Sequence, residues 1–174
     1  MQYITLRASS ITNFDQLPIP FRAAATDLRS GTPYVIDHGS LAAAMRASMA
    51  VPGVFTASEI DGHVLVDGGI VDNMPVDVMK KMGADFIIAA DVGADADNVD
   101  PESLKSLSGI LGRSYTIAQR PEQMEQFRQA NIGIQPVLAG LTAGDFDRVA
   151  DFIPKGEAAA RGKIAELAKL GVGA

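Results

Sequence analysis

The 174 residues contain no cysteine. Disulfides, thiolate metal sites and a cysteine nucleophile are therefore excluded. Histidine is scarce, with only His38 and His63, which argues against a histidine-rich metal centre. No run of basic residues occurs, and the net charge is -6. A nucleic-acid partner needs a positive footprint, so none is expected. An electrostatic membrane-surface patch is disfavoured for the same reason. No apolar run approaches the roughly 20 residues that span a bilayer. The start, MQYITLRASS, lacks the basic and then apolar layout of a signal peptide. Neither G-x-G-x-x-G nor a Walker motif is present, so no nucleotide cofactor is expected, and no serine lies in a G-x-S-x-G elbow.

What remains is an ordinary globular composition, 47% hydrophobic and 21% charged, of a length that fits one domain spanning residues 1–174. Tyr3-Ile4-Thr5-Leu6 reads as a short strand. Phe21 to Thr26 and Pro33 to Asp37 read as an antiparallel pair around a turn at Ser30-Gly31. Ser40 caps a helix over LAAAMRASMA, which Pro52-Gly53 ends. Val54 to Ile60 and His63 to Val66 flank Asp61-Gly62, the dipeptide favoured in two-residue hairpins. Asn73-Met74-Pro75 leads into a helix stopped by Gly83. Phe86 to Ala90 reads as a fully buried strand of a parallel sheet. Beyond an acidic loop over 91–100, a helix is expected from Pro101, with Leu104, Leu107, Ile110 and Leu111 on one face and a kink or restart at Pro121. Ile132 to Val137 is the last expected strand. Two further helices, about Asp145–Ile153 and Glu157–Leu170, are separated by Pro154-Lys155-Gly156. No linker or internal repeat interrupts the chain.

The chemically loaded stretch is RASMAVPGVFTASEIDGHVLVDGGIVDNMP, residues 46–75, with Asp67-Gly68-Gly69 at its centre. Asp67 ends a strand and precedes two residues without side chains, so it can face a pocket as a general base. Ordinary aspartate, with a pKa of about 3.9, would need partial desolvation to serve near neutrality. The competing reading is an Asx turn, in which the carboxylate accepts amides of its own loop. A metal site formed by Asp61, Asp67, Asp72 and Asp77, or by the four aspartates of 91–100, is disfavoured. Taking Asp95 and Asp97 as first ligands of a calcium loop puts Val99 at the third position and Asp100 where glycine belongs. Ser48 reads as packing, and the two histidines as surface or hairpin residues.

Four motifs in order are more specific than any one alone: IPFRAAATDLRSG, LAAAMRASMAVPGVF, HVLVDGGIVDNMPV and MGADFIIAADVG. Together they resemble the second half of the bacterial patatin-like phospholipase family, most closely over residues 18–93, with a looser likeness through the helical tail at 101–170. The resemblance implies a three-layer α/β/α fold and a serine acyl hydrolase using a Ser–Asp dyad without histidine or cofactor. It implies that Asp67 is the dyad base and that Gly68 and Gly69 complete its motif loop. The family's glycine-rich oxyanion loop and nucleophile elbow precede the matched region and are not found in this sequence. The expectation is a partial domain carrying the aspartate but no nucleophile, inactive by itself. Its expected partners are a lipid or other acyl-ester substrate, and a second copy or the missing N-terminal half. The alternative is a truncated, non-enzymatic module that binds lipid or protein. A cytoplasmic setting is expected, with a secreted or membrane-associated parent protein as the alternative.

Overall fold

The computed structural model describes residues 2–93, 99, 101–141 and 145–169. Its contacts divide the chain into two compact units, Met1–Pro75 and Val76–Ala174. Both mix helices and strands, so the α/β class read from the sequence holds.

The first unit opens with α1 (Gln2–Thr5) and a 3-10 turn, Leu6–Ala8, where a strand was expected. A strand needs a ladder partner, and here the backbone closes locally instead, with the Ser9 and Ile11 amides donating to the Leu6 and Ala8 carbonyls. Tyr3 is 91% exposed, so no apolar burial holds the segment extended. The sheet that follows has β1 (Ala23–Asp27), β2 (Thr32–Ile36), β3 (Ser58–Ile60) and β4 (His63–Asp67) in the order β2-β1-β4-β3, with every pair antiparallel. Alanine is a weak strand former, yet in β1 it has a packing use. Ala23 and Ala25 let α2 (Leu41–Ser48) approach closely, and they are buried in one core with Ala44, Ala47, Phe14, Ile36 and Leu65. The Ser40 hydroxyl caps α2 by accepting the Ala43 amide at 3.4 Å.

The hairpin turn is as the sequence indicates. Asp61 and Gly62 have φ of 52° and 79°, both left-handed, as a primed two-residue turn requires. The strand before it is shorter than expected. Pro52-Gly53 starts a run of turns, in which the Val54 and Phe55 amides return to the Val51 carbonyl, and pairing begins only at Ser58.

The second unit contains α3 (Val76–Lys81), β5 (Ile88–Ala90), α4 (Leu107–Arg128), β6 (Ile132–Ile134), α5 (Val149–Arg161) and α6 (Ile164–Leu167). β5 and β6 pair in parallel, Ile88 opposite Ile132. The expectation of a fully buried strand fails. Ile87 and Ala89 are buried, whereas Phe86 and Ile88 are exposed, because this sheet has only two strands among the described residues and only one of its faces is covered. The expected strand through Val137 stops at Ile134 for the same lack of neighbours. Neither proline breaks its helix. Pro121 lies inside α4 and Pro154 inside α5, each removing one amide donor while the flanking turns continue. The break in the tail comes at Gly162-Lys163 instead. The face of α4 bearing Leu107, Ile110 and Leu111 is exposed.

A buried carboxylate organises this unit. Asp91, directly after β5, has a side chain 0% exposed. It accepts from Arg120 at 2.8 Å, Gln123 at 2.6 Å, Gln135 at 2.9 Å and the Gly93 amide at 3.0 Å. Such a charge is tolerated only because every side of it is met by a donor. The expected calcium-loop positions Asp95, Asp97 and Asp100 lie outside the described residues. No helix among the described residues is long and apolar enough to cross a membrane.

Candidate active site

β4 carries Asp67 to the edge of a cleft of about 540 Å³ lying wholly within the first unit. The lining comes from the start of β1 (Phe21 to Ala24), the end of α2 (Met45, Ser48, Met49), Asp67 to Gly69, and Asp72, Asn73 and Pro75. It is apolar on the helix side and polar along the loop. Three predicted site residues, Asp67, Gly68 and Gly69, are thus brought together in one wall.

Backbone constraints hold them. The Asp67 amide donates to the Ala50 carbonyl at 3.1 Å, and Thr26 Oγ1 donates to the Asp67 carbonyl at 3.0 Å. Gly68 passes so close to β1 that a Cβ there would stand 2.6 Å from the Ala24 carbonyl oxygen and 2.7 Å from its carbon. The glycine is required by space: a side chain cannot fit against backbone at that distance. The loop then forms a single 3-10 turn, Gly68–Ile70, with Asp67 as its cap.

The Asx-turn reading of Asp67 is correct as far as it goes. Oδ1 accepts the Gly69 amide at 2.8 Å. The residue is half-buried, and the turn coexists with its place in the cleft lining. Asp72 lines the same cleft, its amide bonded to the Gly68 carbonyl at 2.9 Å and its Oδ1 accepting the Met74 amide at 3.3 Å. Ser48 also lines it, at the last residue of α2.

Residues 9–80 match the family model for patatin-like phospholipases. Over 83 residues the chain is 46% identical to an uncharacterized NTE family protein of Mycobacterium tuberculosis, covering 47% of this chain and 23% of that protein. It is 39% identical over 94 residues to patatin-like phospholipase domain-containing protein 7 of Mus musculus, covering 49% and 7% respectively. A third relative, lysophospholipase NTE1 of Meyerozyma guilliermondii, is 32% identical over 114 residues, 64% of this chain and 8% of that protein. Each alignment thus covers less than a quarter of the curated relative's length. The relatives are eukaryotic as well as bacterial, broader than the bacterial likeness read from the motifs. The patatin-like region contains the whole cleft lining, from Phe21 to Pro75.

Sequence reasoning missed several partners in this region. Arg22 enters the cleft lining while its Nη2 pairs with Asp15 at 2.8 Å and its Nη1 donates to the Phe21 carbonyl at 2.8 Å. No local pattern signals a pair seven residues apart across a 3-10 turn. Both histidines are surface residues, as expected, and each also meets a carboxylate. His63 Nδ1 meets buried Asp27 at 3.0 Å, beside the Tyr34 ring at 4.4 Å. His38 Nδ1 meets Asp37 at 2.6 Å and its Nε2 meets Asp61 at 3.4 Å. The His63 bond, followed by the Arg29 amide, holds the Asp27 carboxyl below its ordinary range. The His38 bond likewise lowers Asp37, and Asp37 raises His38. Arg46, at the end of α2, stacks over the Phe55 ring at 4.8 Å and donates to the Thr56 carbonyl at 3.2 Å, pinning the turns after Pro52. Among the described residues no cluster of three histidine or acidic side chains could hold a metal ion.

Proposed function

We propose that this chain carries the aspartate half of a lipid acyl-ester hydrolase site, with Asp67 as the base of a Ser–Asp dyad. The observation that carries the reading is the placement of Asp67: a carboxylate held by the Gly69 amide in the wall of a 540 Å³ cleft, inside the stretch that matches patatin-like phospholipases. In the proposed reaction a serine hydroxyl transfers its proton to Asp67 as its oxygen attacks the ester carbonyl. The tetrahedral intermediate expels the alcohol, which takes that proton, and an acyl-serine remains. Asp67 then accepts a proton from water, whose oxygen attacks the acyl group; the second tetrahedral intermediate expels the serine oxygen, which takes that proton back from Asp67, and the acid is released. The apolar side of the cleft, Phe21, Met45 and Met49, suits an acyl chain.

The serine is not supplied by these 174 residues in a nucleophile elbow, and neither is a glycine-rich oxyanion loop. Donors of that kind are typically worth about 10²–10³ in rate. The 174-residue chain is therefore proposed to be inactive alone and to act with a segment providing nucleophile and oxyanion hole. An ester-hydrolysis assay on the purified chain, with p-nitrophenyl butyrate and a lysophospholipid, tests this. Background rates are expected; turnover abolished by Asp67→Ala would overturn the proposed inactivity, and turnover abolished by Ser48→Ala would assign the nucleophile to the cleft itself.

A further inference from the structure

We propose that a cleft of about 670 Å³ in the second unit binds an aliphatic carboxylate, its head on Lys155 and Arg148 and its chain along Val137, Leu141 and Ala158. The proposal rests on this cleft alone and not on the reading of Asp67, so either can fail without the other. One wall is the segment that follows β6, with Gln135, Val137 and Leu141, and the other is α5 with Arg148 just before it. On the helix Asp151, Lys155 and Ala158 stand at i, i+4 and i+7, which puts them on one face. Val137 is 77% exposed and Ala158 is exposed too. Apolar surface in a concavity thus stands open to water, and covering it is favourable.

The charges decide the sign of the ligand. The chain as a whole carries 21 acidic against 15 basic side chains, yet this lining sets two cations, Arg148 and Lys155, against one carboxylate, Asp151. Arg148 Nε donates to Asp151 Oδ2 at 3.0 Å, and its two terminal nitrogens have no protein acceptor among the described residues. Lys155 is half-buried and has neither an ion pair nor a hydrogen bond among the described residues. No protein contact has to break for an anion to reach these groups. The outer edge of a guanidinium presents two parallel N–H groups that match the two oxygens of a carboxylate. One cation in excess suits a monoanion better than a phosphate dianion. Gln135 commits its amide nitrogen to Asp91 at 2.9 Å, which leaves the head group to the two cations.

Calorimetric titration of the 174-residue chain tests this, with octanoate, octan-1-ol, acetate and octyl phosphate as probes. Octanoate is expected to bind about fivefold tighter than octan-1-ol, the scale of a partly solvated ion pair. It should bind more than tenfold tighter than acetate, since each methylene laid on the cleft is worth up to about fourfold. Lys155→Gln should weaken octanoate about fivefold and leave octan-1-ol unchanged. It removes no contact among the described residues, so native circular dichroism is expected. Arg148→Gln should act likewise. Ala158→Phe, at an exposed position, fills the cleft and should weaken octanoate and octan-1-ol together. Equal affinity for octanoate and octan-1-ol overturns the proposal, as does the absence of octanoate binding. So does an octanoate affinity unmoved by Lys155→Gln or by Ala158→Phe. Acetate binding as tightly as octanoate would mark a solvated ion pair without an apolar subsite and overturns it too. Octyl phosphate binding more tightly than octanoate overturns the assignment of the head group.

Discussion

Replacing Gly68 by alanine places a methyl carbon 2.6 Å from the Ala24 carbonyl oxygen and 2.7 Å from its carbon. Ordinary contact begins near 3.4 Å, so loop and strand must separate by about 0.8 Å. Neither side yields easily. Ala24 lies in β1, which is paired on both edges, and the loop is tied to β1 by the Thr26 hydroxyl bond to the Asp67 carbonyl. Forced overpacking typically costs about 1–3 kcal/mol, and a lost hydrogen bond adds about 1 kcal/mol. The expected destabilisation is therefore about 3 kcal/mol, which lowers the melting temperature of a unit of this size by about 10 °C or more. Thermal unfolding by circular dichroism measures it. Gly62→Ala is the control: φ is +79° but nothing lies within 4 Å, so only left-handed strain of about 1 kcal/mol is expected. If Gly68→Ala melts within a degree or two of wild type, or no lower than Gly62→Ala, the close approach is not what demands the glycine.

Other outcomes follow from the same geometry. Asp67→Asn keeps an oxygen for the Gly69 amide, so it should leave stability nearly unchanged while abolishing hydrolysis in a reconstituted enzyme; Asp67→Ala should also lose about 1 kcal/mol of cap, read by denaturant titration. Asp91→Ala strands Arg120, Gln123 and Gln135 around a vacated site and should cost about 3–5 kcal/mol in urea unfolding, with Asp91→Asn costing less. Stability should also vary with pH. Asp27 and Asp37 fall below their ordinary 3.8 on folding, so their contribution is present above that value and lost as pH falls through the folded values. His38 rises above 6.5, so its contribution is full below 6.5 and lost as pH rises through its folded value. A stability maximum between about pH 4 and 6.5 is expected, with Asp27→Asn flattening the acid arm and His38→Gln the alkaline arm.

Local chemistry made much of the first unit legible. Asp61-Gly62 announces its turn because both residues adopt left-handed φ, and Ser40 announces its helix because a hydroxyl can accept an early amide. Asp67-Gly68-Gly69 was readable as a capped turn after a strand, although not why the first glycine is needed; Ala24, 44 residues earlier, supplies that reason. Features set by distant partners were not readable. The Asp91 clamp assembles donors from α4 and from beyond β6, and Arg22 pairs across a turn of irregular backbone. Tyr3-Ile4-Thr5-Leu6 has strand composition but no neighbour to pair with, so composition misled. Pro121 and Pro154 are weak breakers here because each helix loses one hydrogen bond and keeps the rest.

β1 behaves as a ruler. Within six residues it and its lead-in put Arg22 and Ala24 at the cleft, Thr26 on the Asp67 carbonyl and Asp27 under His63. The strand pleat alternates faces at every residue, so inserting or deleting one residue between Arg22 and Asp27 would shift these markings by about 3.3 Å and turn them to the opposite side. The turns after Pro52 carry no such graduation: pairing resumes only at Ser58. Length variation between α2 and β3 is better tolerated beyond Thr56, where the Arg46 contacts end, while the stretch from Arg22 to Asp27 must keep its residue count for the cleft lining to keep its arrangement.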